Sequence, residues 1–445
     1  MLVAFGAAAD PSEPPLLLGG PAAKAPHVVE NDPHLPTGAP IDQHPRPPAT
    51  LRFCSEREPV CVHAAGAVAP EALLTALSGF EHAYRVLVRG LELPAPLSDE
   101  AGGGPELDLY LSPPDRETPG FERVHVFPDA RRPSFFDRSS AFCTALADDP
   151  VLLARAATLC VGEAIALRLD AGETPDFRRA FATELWWATG LPTSFDFEAL
   201  ERVQARPSRA IAARDLDASS EGRALFLEYL EQALGTGAPG ELSAALVATS
   251  AQETPPDAPA WHNEPDWFDV VRHTTGNAEA KMAHLLGDFA VTRAFLGERE
   301  DGAHLPSLAW SGHFGAARPD WILPFETLPR RVRLTPLEPT GSALVWLDLG
   351  KAPQGFTLGM RAEWEPPAEF QWLLVTVGAR GELSRFEVPF QERETVAEAR
   401  IGNIHDARAV IAIGTHLERV DADHPFDPDV VPFEPHGASL YLVEL

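Results

Sequence analysis

The stretch from Val151 to Leu169 is almost wholly apolar and carries Glu163 in its middle. A helix that is apolar on every side has no face to offer water, so it must lie at the centre of a fold and be covered all round. Gly172 ends the run. Thr174-Pro175-Asp176 then combines an N-cap with a proline at the first helical position, which opens a second helix running to Gly190, with Pro192 behind it. Ser220-Glu221 starts another through Leu225, Tyr229 and Leu230 to Gly235. Apolar periodicity places further helices near 240–250, 265–275 and 278–296, the last ending at Gly297.

On either side of this helical block the pattern changes. Leu51–Cys54, Val60–His63, Leu107–Leu111 and Arg123–Phe127 read as short strands. Between them Pro70 opens a helix to about Arg89, with Leu73, Leu77, Phe80, Tyr84 and Leu87 on one face. From Arg331 onward short alternating runs recur at 343–347, 357–362, 370–377, 385–388, 408–413 and 440–443, punctuated by Gly, Pro or Asp. Runs of that spacing predict a C-terminal antiparallel β-sandwich. The expected fold class is α+β. Residues 1–50, rich in Pro, Ala and Gly and without periodicity, are expected to be a disordered leader; 51–325 form an α+β domain and 326–445 the sandwich.

Asp and Glu number 65 against 36 Lys and Arg, a net charge of −29. With no basic run to offset it, that charge argues against nucleic acid as a partner. No stretch reads as a transmembrane segment. Residues 1–10 end an apolar run in small residues, resembling the end of a signal peptide, though the charged start of one is missing. The four cysteines allow three pairings. Local pairing, Cys54–Cys61 and Cys143–Cys160, is the expectation, and disulfides agree with an exported protein found in the periplasm, at the cell surface or outside the cell.

Cys160-Val-Gly-Glu-Ala-Ile-Ala166, followed by Phe181-Ala-Thr-Glu-Leu-Trp-Trp187, resembles the active-site pair of helices in gluzincin metallopeptidases. Those carry H-E-x-x-H on the first helix and a glutamate ligand on the second. His at i and i+4 share one helix face and take two corners of a zinc tetrahedron, while the intervening Glu activates the metal-bound water. In this register Gly162 and Ala166 stand where the histidines belong. Glu163 matches the general base and Glu184 the third ligand. Glycine and alanine offer no donor atom, so the resemblance implies a degenerate gluzincin: no metal, no cofactor, and Glu163 and Glu184 vestigial as catalysts. It covers roughly residues 70–300, and the C-terminal strands resemble the domain that follows such peptidases.

The leading expectation is therefore a catalytically inactive metallopeptidase-like protein that binds a peptide or protein partner, with Glu163, Glu184 and Trp187 as the candidate binding residues. One alternative is a structural or adhesive envelope protein whose β-sandwich does the binding. Another is a hydrolase with an unrecognised site; scattered histidines (His63, His82, His125, His262, His273, His284) form no i, i+4 pair, and no nucleophile elbow or phosphate loop is visible. Asp421, Asp423, Asp427 and Asp429 fall within nine residues and form a candidate calcium loop. Adjacent Trp186 and Trp187 are expected to point in different directions, one of them lining a groove or a domain contact.

Overall fold

Two-residue alternation at the N-terminal end and unbroken apolar runs further on decide the layers of this protein. A computed structural model describes residues 37–40, 44–98, 104–131, 137–211, 218–235, 238–251, 260–262, 265–274, 279–353, 355–378, 381, 383–388, 395–402, 404, 406–417 and 435–445. The first ten residues and the aspartates 421, 423, 427 and 429 lie outside the described residues.

Strand β1 (Thr37–Pro40) precedes the hairpin of β2 (Leu51–Cys54) and β3 (Val60–Ala64), in which Cys54 lies opposite Cys61 and is joined to it by a disulfide. Helix α1 (Pro70–Tyr84) carries the chain back so that β4 (Leu107–Ser112) lies parallel to β3. β5 (Val124–Arg131) and β6 (Ser139–Leu146) complete a mixed five-stranded sheet in the order β2-β3-β4-β6-β5, with β6 parallel to β4 and β5 antiparallel at the edge.

Helix α2 (Pro150–Leu169) begins at Asp149, whose carboxylate accepts from the backbone N–H of Val151 and Leu152. From Leu153 to Leu167 every residue but Ala154 is buried. The sheet covers one side, α1 another and α3 (Pro175–Thr189) a third. The Cys143–Cys160 disulfide ties the middle of α2 to β6. α2 is long and apolar enough to cross a membrane by length and composition alone, but 78% of that window is buried inside the fold, as in the core helix of a globular protein, so it is no clear transmembrane segment. No other helix among the described residues meets that test.

Thr174 caps α3 by accepting from Phe177 N–H, and Thr193 with Asp196 forms the capping box of α4 (Ser194–Ala205). The single helix expected from Ser220 to Gly235 is two: α5 (Ala218–Gly222) and α6 (Ala224–Leu234). At the join, Gly222 comes so near α4 that a Cβ would sit 2.3 Å from the Ala199 carbonyl oxygen. α7 (Glu241–Ser250), β7 (Ala260–His262, antiparallel to β1), α8 (Trp267–Thr274) and α9 (Glu279–Ala294) follow. Part of the expected leader is thus structured: Thr37–Pro40 pairs with β7, and Arg46 bonds Asp108 on β4.

The C-terminal strands are β8 (Trp321–Pro324), β9 (Arg330–Arg333), β10 (Ser342–Asp348), β11 (Leu358–Trp364), β12 (Phe370–Gly378), β13 (Leu383–Glu387), β14 (Val396–Ile401), β15 (Ala407–His416) and β16 (Ala438–Glu444). They form one sheet in the order β13-β12-β15-β10-β8 and another in the order β14-β11-β16-β9. Val345, Trp372 and Val410 of the first share a core with Val332, Leu358 and Leu440 of the second. The pairing is antiparallel throughout except that β8 runs parallel to β10. The other face of the five-stranded sheet receives Ala290, Val291 and Ala294 of α9. Two-sided cover explains why β12 is buried at every position and reads as a continuous apolar run.

Candidate functional site

The site begins where α2 and α3 touch. At Gly162 the helices meet so closely that an added Cβ would lie 2.9 Å from both Cα and Cβ of Ala182. Ala166, one turn on, is fully buried. The face on which two imidazoles would have to stand is therefore filled by the neighbouring helix at one position and closed from solvent at the other.

Glu163 is 4% exposed and ion-paired to Arg179 on α3, Oε1 to Nε 2.6 Å. Burial pushes its carboxyl above the usual range, with Arg179 and Arg178 pulling the other way. Arg179 reaches further: Nη2 donates to the Val124 carbonyl at the start of β5 (2.6 Å) and Nη1 lies 3.4 Å from Glu221 on α5. Glu221 also accepts from Arg155 of α2 (2.8 Å), and Arg155 Nε donates to Asp196 (3.1 Å). An unbroken chain of buried charges, Glu163–Arg179–Glu221–Arg155–Asp196, thus links four helices.

Asp196 is fully buried and collects five donors: Arg155 Nε, the indole N–H of Trp186 (3.0 Å) and Trp187 (3.3 Å), and the backbone N–H and hydroxyl of Thr193 (both 2.7 Å). The expectation that Trp186 and Trp187 diverge is corrected here. Both are buried, at 4% and 5% exposure, because one carboxylate on α4 satisfies both indoles. Trp187 also stands edge-on to Trp310.

Glu184 lies in a different electrostatic neighbourhood. It is 1% exposed, with the Ser243 side chain beside it and no basic side chain paired with it among the described residues. Burial, then Glu231 and Glu228 of α6, hold its pKa well above the carboxylate range. Burial also pushes Glu228 up to about 7, against a hydrogen bond from Ser307, and Glu231 to about 7, against the backbone N–H of Ser243 and Leu242. Glu163 responds instead to Arg179, Arg178 and Glu221, a different set of charged neighbours.

Among the described residues, one group of donors lies within metal-ligand distance: Cys61, His63 and Asp108. Cys61 is in the disulfide with Cys54, which leaves two donors. His63 Nε2 is 2.7 Å from Asp108 Oδ1, and Arg46 donates to Oδ2 at 2.8 Å. That arrangement gives both oxygens of the buried aspartate a partner, His63 for one and the Arg46 guanidinium for the other.

Sequence reasoning missed Arg155, Arg178, Arg179, Asp196 and Glu221. A signal existed. Charged residues inside helices expected to be buried require partners, and Arg155 stands alone in an apolar run.

No family model matches this chain, and no curated protein matches it. Among solved structures, the pre-peptidase C-terminal domain of a collagenase from Bacillus anthracis is similar to part of it, at 9% identity over 28% of this chain and 97% of that one. The TM-score is 0.19, a likeness too slight to carry an assignment of fold or function.

Proposed function

We propose that this chain is a metallopeptidase-like protein without zinc hydrolase chemistry, which acts outside the cytoplasm by binding a peptide or protein partner. One observation carries the reading: Glu163, in the register of the general base, is neutralised by Arg179, while Gly162 beside it is packed against Ala182. The guanidinium beside Glu163 is a permanent cation that neither ionises water nor polarises a carbonyl as zinc does. The mixed sheet with α1, α2 and α3 packed in sequence supports a metallopeptidase-like layout. The two C-terminal sheets sharing one core support a β-sandwich. Two disulfides are compatible with export.

The experiment is metal analysis of the purified full chain by mass spectrometry, with turnover of a mixed peptide pool by wild type and Glu163→Gln. Substoichiometric zinc and no turnover are expected. One zinc per chain, or turnover lost in Glu163→Gln, overturns the proposal. Saturable binding of that pool, followed by fluorescence anisotropy, tests the binding half.

A second reading, an adhesive envelope protein that binds through its C-terminal sheets, draws on the edge strand β8. There Trp321 and Ile322 are 39% and 61% exposed.

A further inference from the structure

In a chain of net charge −29, the cavity between α4, α6, α9 and the segment that follows α4 is lined by five arginines: Arg202, Arg206, Arg209, Arg223 and Arg293. Its volume is about 220 Å³, and no described lining residue is acidic. Three of the arginines have carboxylates beyond the wall: Arg202 with Glu198, Arg209 with Glu338 and Arg223 with Asp176. Arg206 is exposed at the rim, and no described carboxylate is ion-paired with it.

Arg293 is the decisive residue. It is 3% exposed, and its two bonded nitrogens meet neutral acceptors: Nε donates to Gln204 Oε1 (2.7 Å) and Nη2 to the Val203 carbonyl (2.8 Å). Its guanidinium carbon lies 5.3 Å from the centre of the Phe289 ring. Among the described residues no carboxylate pairs with it, and Nη1 has no hydrogen-bond acceptor. A buried cation without a counter-charge is costly unless something neutralises it. Burial lowers its pKa to about 9, which leaves it charged at neutral pH.

We infer that this cavity is a binding site for a small organic carboxylate. Its oxygens sit on Arg293 with Arg206 at the rim, and its apolar body lies against Phe226, Phe289, Leu225 and Ile211. The guanidinium fork matches a carboxylate, and the volume falls below the ~300–1,000 Å³ typical of drug-sized ligands, which selects a short body. Charge complementarity and the apolar wall together favour an aromatic or branched acid over a bare inorganic anion. The inference goes beyond the proposed function and stands independently of it.

Isothermal titration of the full chain with phenylacetate tests it, with phenylacetamide as the neutral isostere and inorganic phosphate as the alternative anion. One-site binding is expected, at least about tenfold weaker for the amide and weakened by added salt. Arg293→Met should abolish the signal. Should that variant misfold, Arg206→Gln keeps the test alive, because the Arg206 side chain is exposed; severalfold weaker binding with an unchanged melting temperature is expected. Equal affinity for the amide, no heat with phenylacetate, tighter binding of phosphate, or indifference to Arg206→Gln overturns the carboxylate assignment.

Discussion

At the scale of single residues the interior of this protein is defined by how its buried acids are treated. Glu163 and Asp196 have cations; Glu184 has none. Glu228 at about 7 rather than 4.5 holds its proton in the folded chain and loses it in the unfolded one. Its contribution to stability is complete below pH ~4.5 and is lost as pH rises through the folded value, a fall of about 3 kcal/mol for such a group. Glu184 and Glu231, raised in the same direction, add to the trend. The melting temperature should therefore be higher at pH 5 than at pH 7.5. Glu184→Gln, which stays neutral, should match wild type at pH 4.5 and exceed it at pH 7.5; a variant that melts lower at both would refute the account. Gly162→Ala should lower stability by about 1–3 kcal/mol, since the methyl must push Ala182 away. A urea midpoint equal to wild type would mean that the helices part freely. From sequence, the burial of α2 around Glu163 was legible and its partner was not. Arg179 lies sixteen residues on, and nothing in a linear pattern says which face of a second helix meets the first.

Among the elements, caps and breakers carried most of what could be read. Thr174-Pro175 and Gly190 bracket α3 as expected, and Pro70 opens α1. β6 and β14 escaped for opposite reasons. Ser139–Leu146 is buried at most positions and shows no alternation, whereas Val396–Ile401 is an edge strand built from Ala, Glu and Arg, which favour helices. The Cys143–Cys160 bridge fixes α2 to β6 across a separation of 17 residues, so Cys143→Ala with Cys160→Ala should cost about 3 kcal/mol. Equilibrium unfolding of the pair of variants checks this. No loss would place the hold on α2 in its packing alone.

For the molecule as a whole, Pro36–Leu445 group as one compact unit. The segment after α4 bonds directly to the loop before β10: Ala210 N–H to Glu338, Ile211 N–H to the Thr340 hydroxyl, and Ser342 N–H to the Pro207 carbonyl. Calorimetry should therefore record a single unfolding transition; two resolved peaks would contradict it. The same packing means that removing residues 331–445 to locate a binding function would also strip the cover from α9.

That cover sets an order of events during synthesis. The apolar side of α9 is finished at Ala294, but β15, against which it rests, ends at His416, about 120 residues downstream. At roughly 5–20 residues per second the ribosome needs on the order of ten seconds to supply the missing surface. Through that interval the nascent helical half waits with the flank of α9 uncovered.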